Sequence, residues 1–514
     1  MAEGSCCEQY LWLVITGGAF AFASAFGIGA NDVANCFATS VGSKALTLRQ
    51  ALAAAAVFEF AGAVLLGGNV AETIRGGLIE VELFEAEPEL LMLGMAIVCL
   101  STALWLITAT LLGLPVSTTH SVIGGILGFS VVSKGFGSVQ WRGLLLIVAS
   151  WFASPIACGL LAASFFGSLR RFVLRSADSL NRALRSYPLV VGFTIAVNGY
   201  YICYYGPVLA SVMPPQWVGA LAAVGIGAVL SLAIQASFIN CYLRPKLLGD
   251  GLNAPIAGND RSRRASDSKL LSGDDGPEEG ALPPSGTMDT HASLREGGSV
   301  AAIHAAAEVY DARTERVFNF LQVFTACVGA FGHGANDVSN AVAPFATVFG
   351  LYRTGVVEAT EPVELWVLAL GGLGIVVGLA CLGYRVIRSI VSASHPPRSP
   401  ELTHSSTLPR QGVDMIKVTP ARGFTIELSS ASIVILGSVI GLPLSTTHCQ
   451  VGATVGVGLL EGKGGVNWRL FLSVGCAWIA TIAVTAAISG ALFAFVVFSP
   501  SLPGYEGTRP PADL

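Results

Sequence analysis

Two short motifs occur twice in this chain, in the same order, each time inside apolar sequence. Gly29-Ala30-Asn31-Asp32-Val33-Ala34-Asn35 returns as Gly334-Ala335-Asn336-Asp337-Val338-Ser339-Asn340. Gly113-Leu114-Pro115-Val116-Ser117-Thr118-Thr119-His120 returns as Gly441-Leu442-Pro443-Leu444-Ser445-Thr446-Thr447-His448. Six matches in seven and seven in eight require a duplicated unit. Its surroundings fix the solvent. The chain is 53% hydrophobic and 12% charged, where a soluble domain carries about a quarter charged residues. Its apolar runs are long enough to cross a hydrocarbon core of roughly 30 Å as helices. Within that core each segment must satisfy its own backbone, so the fold class is all-α and polytopic.

Hydropathy marks about twelve membrane-embedded segments, at 11–37, 51–68, 91–113, 117–133, 142–166, 188–210, 217–241, 318–343, 365–387, 423–442, 445–460 and 468–497. Several are short or interrupted by Gly and Pro, which predicts broken helices or re-entrant hairpins at the midplane. Residues 1–10 hold two acids and no basic residue, so the first run is expected to be retained as a span rather than cleaved as a signal. Arg170, Arg171, Arg175, Arg182 and Arg185 crowd the loop 167–187 and predict a cytoplasmic side. The loop 69–90 carries Glu72, Glu80, Glu82, Glu85, Glu87 and Glu89 against Arg75 and is expected outside. Lys44, Arg49, Arg385 and Arg388 agree, which places both termini outside. The first GANDV copy then lies on an inward-running span and the second on an outward-running one. Such inverted repeats put substrate and ion sites near the midplane at their interface.

Residues 242–317 interrupt the pattern with polar, Gly-, Ser- and Pro-containing sequence that cannot bury enough apolar surface to order itself. The expected division is a first membrane half at 1–241, a disordered cytoplasmic linker at 242–317 and a second, inverted half at 318–514. Arg263-Arg264-Ala265-Ser266 in the linker has the pattern of a basic-directed kinase site, or of a plain solvated charge cluster. The cysteines within apolar runs (Cys36, Cys99, Cys158, Cys203, Cys327, Cys381, Cys449 and Cys476) read as small core residues.

The motifs suggest two tasks. A carboxylate inside an apolar span is costly unless partnered, and Asp32 and Asp337 each have amides beside them and three residues on: Asn31 and Asn35, Asn336 and Asn340. Residues three apart share a helix face. Hard oxygen ligands without thiolate or imidazole suit a small hard cation. The plainer alternative is a structural polar network. In GLPxSTTH, Gly and Pro end one helix and a Ser or Thr caps the next. The new helix offers free N–H groups, hydroxyls and a positive dipole end, which together make an anion site. Ser117, Thr118, Thr119, Ser445, Thr446 and Thr447 are the candidate contacts, with ordinary helix capping as the alternative. An anion beside Asp32 and Asp337 is repelled until cations neutralise them, so coupling follows from charge balance. Glu59 and Glu427 also lie in apolar sequence and are candidates to complete a cation site or relay a proton, against a purely structural role. His333, His120 and His448 are expected to make capping or interhelical hydrogen bonds, with a modulatory proton role as the alternative.

At GANDVANC, GHGANDVSNAVAP, GFTIELSSA and the paired GLPxSTTH motifs the sequence resembles the inorganic phosphate transporter family. The resemblance covers both membrane halves and excludes the linker. It implies phosphate carried with sodium, or protons, by alternating access. It implies cation sites at Asn31, Asp32, Asn35, Asn336, Asp337 and Asn340 and phosphate contacts at the six Ser and Thr residues, with Glu59, Glu427 and His333 important for transport. Cys36 stands where the motif often has Ala. The expected function is Na+-driven phosphate import across the plasma membrane. The alternatives are H+-coupled symport on the same fold, or a phosphate sensor of low flux. A membrane enzyme using Ser, His and Asp is disfavoured, because the serine motif is duplicated with no single nucleophile-and-base set. No cofactor is expected beyond the transported cation. The expected partners are phosphate, Na+ or H+ and the lipid bilayer, not nucleic acid, with a homodimer left open.

Overall fold

The computed structural model describes residues 8–205 except Lys44, 213–249, 303–357, 362–383 and 415–499 except Lys463, with the side chains of Asn35 and four neighbours in its helix outside the description. The linker motif Arg263-Arg264-Ala265-Ser266, Arg385 and Arg388 lie outside the described residues.

Over their described residues, all twelve expected segments are helical. The first run is split in two, α1 Leu11–Asn31 and α2 Val33–Gly42, with Asp32 at the break. There follow α3 Leu48–Leu66, α4 Gly68–Gly76, α5 Pro88–Leu111, α6 Thr118–Lys134, α7 Trp141–Leu169 and α8 Ser179–Tyr205. Helix α9, Gln216–Ala233, continues through a π-helical stretch, Ile234–Leu243, into α10, Arg244–Gly249. The second half holds α11 Ala312–Thr354, α12 Leu365–Gly378, α13 Pro420–Val439, α14 Thr446–Leu459 and α15 Trp468–Phe498. Among the described residues, eight helices are long and apolar enough to cross a membrane. Helices α6 and α14, at 17 and 14 residues, reach only about 26 and 21 Å. They form the returning arms of two hairpins, α5–α6 and α13–α14.

Local chemistry sets the ends. Thr47 and Gln50 form a capping box at α3. The Asp311 side chain accepts the Thr314 N–H at 2.8 Å, and Gly355, at φ 68°, stops α11. Two expectations need correction. The stretch 242–317 is not linker throughout, since the chain is helical to Gly249 and again from Ile303. Leu243, Leu247, Ile303 and Ala307 anchor those stretches by burial. Helix α11 also overruns the expected 318–343, because its ends are polar while the backbone stays helical for 43 residues. Of the cysteines, Cys99, Cys158 and Cys449 are buried as expected, whereas Cys381 and Cys476 are exposed on the apolar outer face.

The halves pack crosswise. Helix α7 lies against α14 and α15 against α6, while α1 meets α12 and α11 meets α3. Glycine makes the last two approaches possible. A Cβ on Gly29 would lie 1.9 Å from the Ile375 carbonyl oxygen, and one on Gly334 would lie 2.1 Å from that of Glu59. Helix α7 also serves as a ruler. Its start is tied to the glutamate-rich loop by Gln140 N–H to Leu78 O at 3.0 Å, and Arg170 follows its last residue about 43 Å away. Helix α15 starts beside Met415, through Asn467 N–H to Met415 O at 3.0 Å. It ends with Phe493 against Phe129, so it runs opposite to α7. At the glutamate-rich end Phe84, Phe129 and Phe493 form an apolar cluster with ring centroids 6.1 and 5.8 Å apart. At the opposite, arginine-bearing end lies a buried ion pair, Arg422 with Glu461.

Candidate functional site

The two hairpin tips are built alike. Gly113 and Gly441 both take φ 71°, a left-handed conformation that glycine adopts without steric cost. Ser117 and Ser445 are extended N-cap residues, and each side chain accepts the backbone N–H of the histidine three residues on, at 3.4 Å. The expected histidine hydrogen bond at His120 and His448 is therefore made by the backbone. Their rings pack 4.7 Å apart, His120 against Trp151 at 3.9 Å and His448 against Trp478 at 3.7 Å. The tips meet: Ser117 Oγ and Ser445 Oγ are 2.9 Å apart, and Thr119 Oγ1 donates to Leu444 O at 3.0 Å. All six candidate Ser and Thr residues are buried. Two helix N-termini, each carrying roughly half a positive charge, converge there, and an anion between them would satisfy both.

The GAND copies sit beside the tips but differ in detail. Asp32 is buried at the α1–α2 break, facing the Thr118 hydroxyl and amide, with neither carboxylate oxygen in hydrogen-bond geometry. Asp337 lies within the unbroken α11. Its Oδ1 accepts Asn340 Nδ2 at 2.9 Å and its Oδ2 accepts Thr446 Oγ1 at 2.8 Å. His333 bridges two acids, with Nδ1 2.7 Å from Glu59 Oε2 and Nε2 2.8 Å from Asp337 Oδ2. Asn340 Nδ2 also reaches Thr118 and Thr119 Oγ1, both at 3.2 Å, and so joins the second GAND copy to the first hairpin tip. Asn31 braces that tip directly. Its Nδ2 donates to Leu114 O at 2.9 Å and Thr110 Oγ1 at 3.2 Å, and its Oδ1 accepts the Val116 N–H at 3.1 Å. Asn336 Nδ2 approaches Ser438 Oγ at 3.5 Å.

One ligand atom each from Asp32, His333 and Asp337 lies within 4.8 Å of the others. Both oxygens of Asp32, Oε1 of Glu59 and Oδ1 of Asn336 and Asn340 are buried without a donor. Buried oxygens in need of a partner are what a hard cation would satisfy.

Glu427 stands apart from this group in a cage of donors. Thr39 Oγ1 and Ser40 Oγ (2.8 Å) donate to Oε1, Gln322 Nε2 reaches it at 3.3 Å, and Thr325 Oγ1 donates to Oε2 at 2.8 Å. Sequence reading missed all four. Their signal was polar side chains in apolar runs, without the repeat that drew attention elsewhere. A cavity with about 20 Å³ of room for the centres of water-sized species lies between Glu427, His333, Cys36 and Thr446. It fits a water or a bare cation. The halves also diverge across the glycine contacts. Counting from Gly29 and Gly334, and from Gly62 and Gly378, Ile28 and Ile375 stand where the other half has His333 and Glu59.

The sequence matches the profile of the Phosphate transporter family over residues 28–394 and 408–489. The chain belongs to that family. Among its relatives, the sodium-dependent phosphate transporter 2 of Felis catus is 30% identical over 96% of this chain and 99% of its own length. The phosphate-repressible phosphate permease pho-4 of Neurospora crassa is 30% identical over 97% and 100%. A solved structure described as the sodium-dependent phosphate transporter superposes with a TM-score of 0.73 at 29% identity, covering 95% of this chain and all of that one. The duplicated motifs of this family member thus belong to a membrane transporter.

Proposed function

We propose that this protein imports inorganic phosphate with Na+ across the plasma membrane, by alternating access between inverted repeats. The observation that carries the reading is the meeting of the two hairpin tips at Ser117 and Ser445, 2.9 Å apart, beside Asp32 and Asp337. Phosphate is held by the helix ends and the hydroxyls of Ser117, Thr118, Thr119, Ser445, Thr446 and Thr447. Na+ is held by Asp32, Asp337 and the amide oxygens of Asn336 and Asn340, with Asn31, Asn35, Glu59 and Glu427 completing the cation path. Asn31 has both amide ends engaged by the first tip; its oxygen keeps a second lone pair. Cations load first and lift the repulsion that an incoming phosphate would meet. The names of the relatives, sodium-dependent phosphate transporters, support the cargo and the coupling ion.

The opposed directions of α7 and α15 support inversion. The arginine-bearing end is assigned to the cytoplasm by its charge, which places the linker inside and both termini outside. Helix α9, with Trp217 and Leu232 about two-thirds exposed, faces lipid. No covalent step is involved, since Ser117 Oγ meets another serine rather than a base. His333, held between Glu59 and Asp337, favours a second reading in which H+ replaces Na+. The test is radiolabelled phosphate uptake into proteoliposomes under imposed Na+ or H+ gradients. Uptake driven by Na+ is expected, uptake driven only by H+ selects the second reading, and indifference to both overturns symport.

A further inference from the structure

Arg422 begins α13 and is fully buried. Its Nη2 lies 2.8 Å from Glu461 Oε1 and 2.8 Å from Glu308 O, and its guanidinium packs over the rings of Phe166 and Tyr310, 5.5 and 5.3 Å from their centroids. The Glu308 carboxylate is held by Arg170 at 2.7 Å and Arg175 at 2.8 Å, and its N–H donates to Glu461 at 3.1 Å. Arg170 Nη1 also donates to Leu460 O at 2.6 Å. One network therefore joins four pieces: the end of α7, the strand of chain entering α11, the start of α13 and the end of α14.

The opposite end also carries an ion pair, Lys134 with Glu87 at its surface, but it is built differently at the position equivalent to Arg422. Aligning the two hairpins at their serines places Gly94 opposite Arg422 and Val457 opposite Phe129. A Cβ on Gly94 would lie 2.3 Å from the Phe129 ring, so a ring occupies there the space that a guanidinium takes at the arginine-bearing end. A buried ion pair with satisfied hydrogen bonds is a poor source of net stability compared with apolar packing, so this network calls for a reason other than stability. Its position supplies one. The cavity near Glu427 is walled by α11 at Gly329 and His333, by α13 at Ser430 and Val434, by α14 at Thr446 and Gln450, and by α2 at Cys36. The network ties three of those four walls at one end.

We propose that the Arg422–Glu461–Glu308–Arg170 network is a latch that closes the arginine-bearing end over the cavity and parts each time the site discharges toward that side. The latch rests on the transport reading above. Charged partners suit such a joint, because water can solvate both halves once they separate, whereas parting apolar rings costs the hydration of their surface. Glu308 and Arg170 are 30% and 18% exposed, so water already reaches the rim.

The test uses the full chain in proteoliposomes and a membrane-impermeant methanethiosulfonate applied from the arginine-bearing side, with modification of Cys36 read by peptide mass spectrometry. Glu308→Gln and Arg170→Gln should each label roughly tenfold faster than wild type, the effect of losing a charge-assisted hydrogen bond. Arg170→Lys, which keeps the positive charge beside Glu308, should recover most of the protection. Wild-type labelling should also accelerate between about 0.1 and 1 M salt, as the screening length falls from about 10 to 3 Å. Unchanged labelling in both glutamine variants, no recovery in Arg170→Lys, or salt-indifferent wild-type labelling would each overturn the latch. Phosphate uptake in the same vesicles separates that outcome from failure of the symport reading, which wild type alone would reveal.

Discussion

Replacing Asp32 by Asn removes one carboxylate from a pair and leaves nearly everything else in place, so its effect can be worked out. Asp32 and Asp337 approach within 4.8 Å. Two unit charges at that separation interact by about 3.5 kcal/mol at an effective dielectric near 20. A cation held between them sits closer to each than they sit to each other, so its attraction to Asp32 is at least of that size. Asp32→Asn should weaken cation binding by at least about 300-fold, at 1.4 kcal/mol per decade. The same change removes a negative charge that opposes phosphate. Binding of radiolabelled phosphate to purified protein, measured with and without Na+, reads both effects. Wild type should bind phosphate far more tightly with Na+; the variant should bind it with little regard to Na+, and more tightly than wild type when Na+ is absent. A variant that kept the wild-type half-saturation for Na+ would refute the charge-balance account.

Other outcomes follow from single contacts. Ser117→Ala removes a cap and a phosphate hydroxyl, and should raise the apparent phosphate constant roughly ten- to hundredfold with little change in Na+ half-saturation; a shift in Na+ affinity alone would refute the assignment. Asn31→Ala strands the Leu114 carbonyl and the Val116 N–H, at about 1–3 kcal/mol each, so thermal unfolding in detergent should come earlier and the phosphate KM should rise. Gly334→Ala sets a methyl group against the Glu59 carbonyl and should abolish a monodisperse size-exclusion peak. The hydrogen bond from Arg175, with Arg170 adding to it against partial burial, holds the Glu308 carboxyl down to about 2. A depressed carboxyl stabilises above its ordinary value of 4.5 and loses that contribution only as pH falls toward the folded value. The labelling rate of Glu308→Gln relative to wild type, in which the pH dependence of the Cys36 thiolate cancels, should therefore be flat from about pH 8 to 5, and a change in that ratio within the window would contradict it.

Much of the molecule could be read from the chain. The helical segments were legible because period and apolar length leave a membrane segment few alternatives, and the repeat exposed Asp32, Asp337 and both serine motifs together. What escaped was long-range partnership. Glu427 could be singled out as a buried acid, but Thr39 and Gln322, its donors, lie 388 and 105 residues away, and nothing local binds them to it. Nothing in the chain singles out Arg422, because hydropathy treats a charge at the edge of an apolar segment as flanking, whereas its burial depends on Glu461 and two aromatic rings that no window spans. The break at Asp32 and the unbroken course of α11 over Asp337 were equally hidden, since nearly identical motifs adopt both.

In the proposed alternating-access cycle, the apolar cluster at the glutamate-rich end leaves a thermal signature. Opening that end wets the rings of Phe84, Phe129 and Phe493, and exposure of apolar surface carries a positive heat-capacity change. The enthalpy of that half-cycle must then change with temperature, and its Arrhenius plot must curve. Temperature thus becomes a dial for that doorway of the molecule.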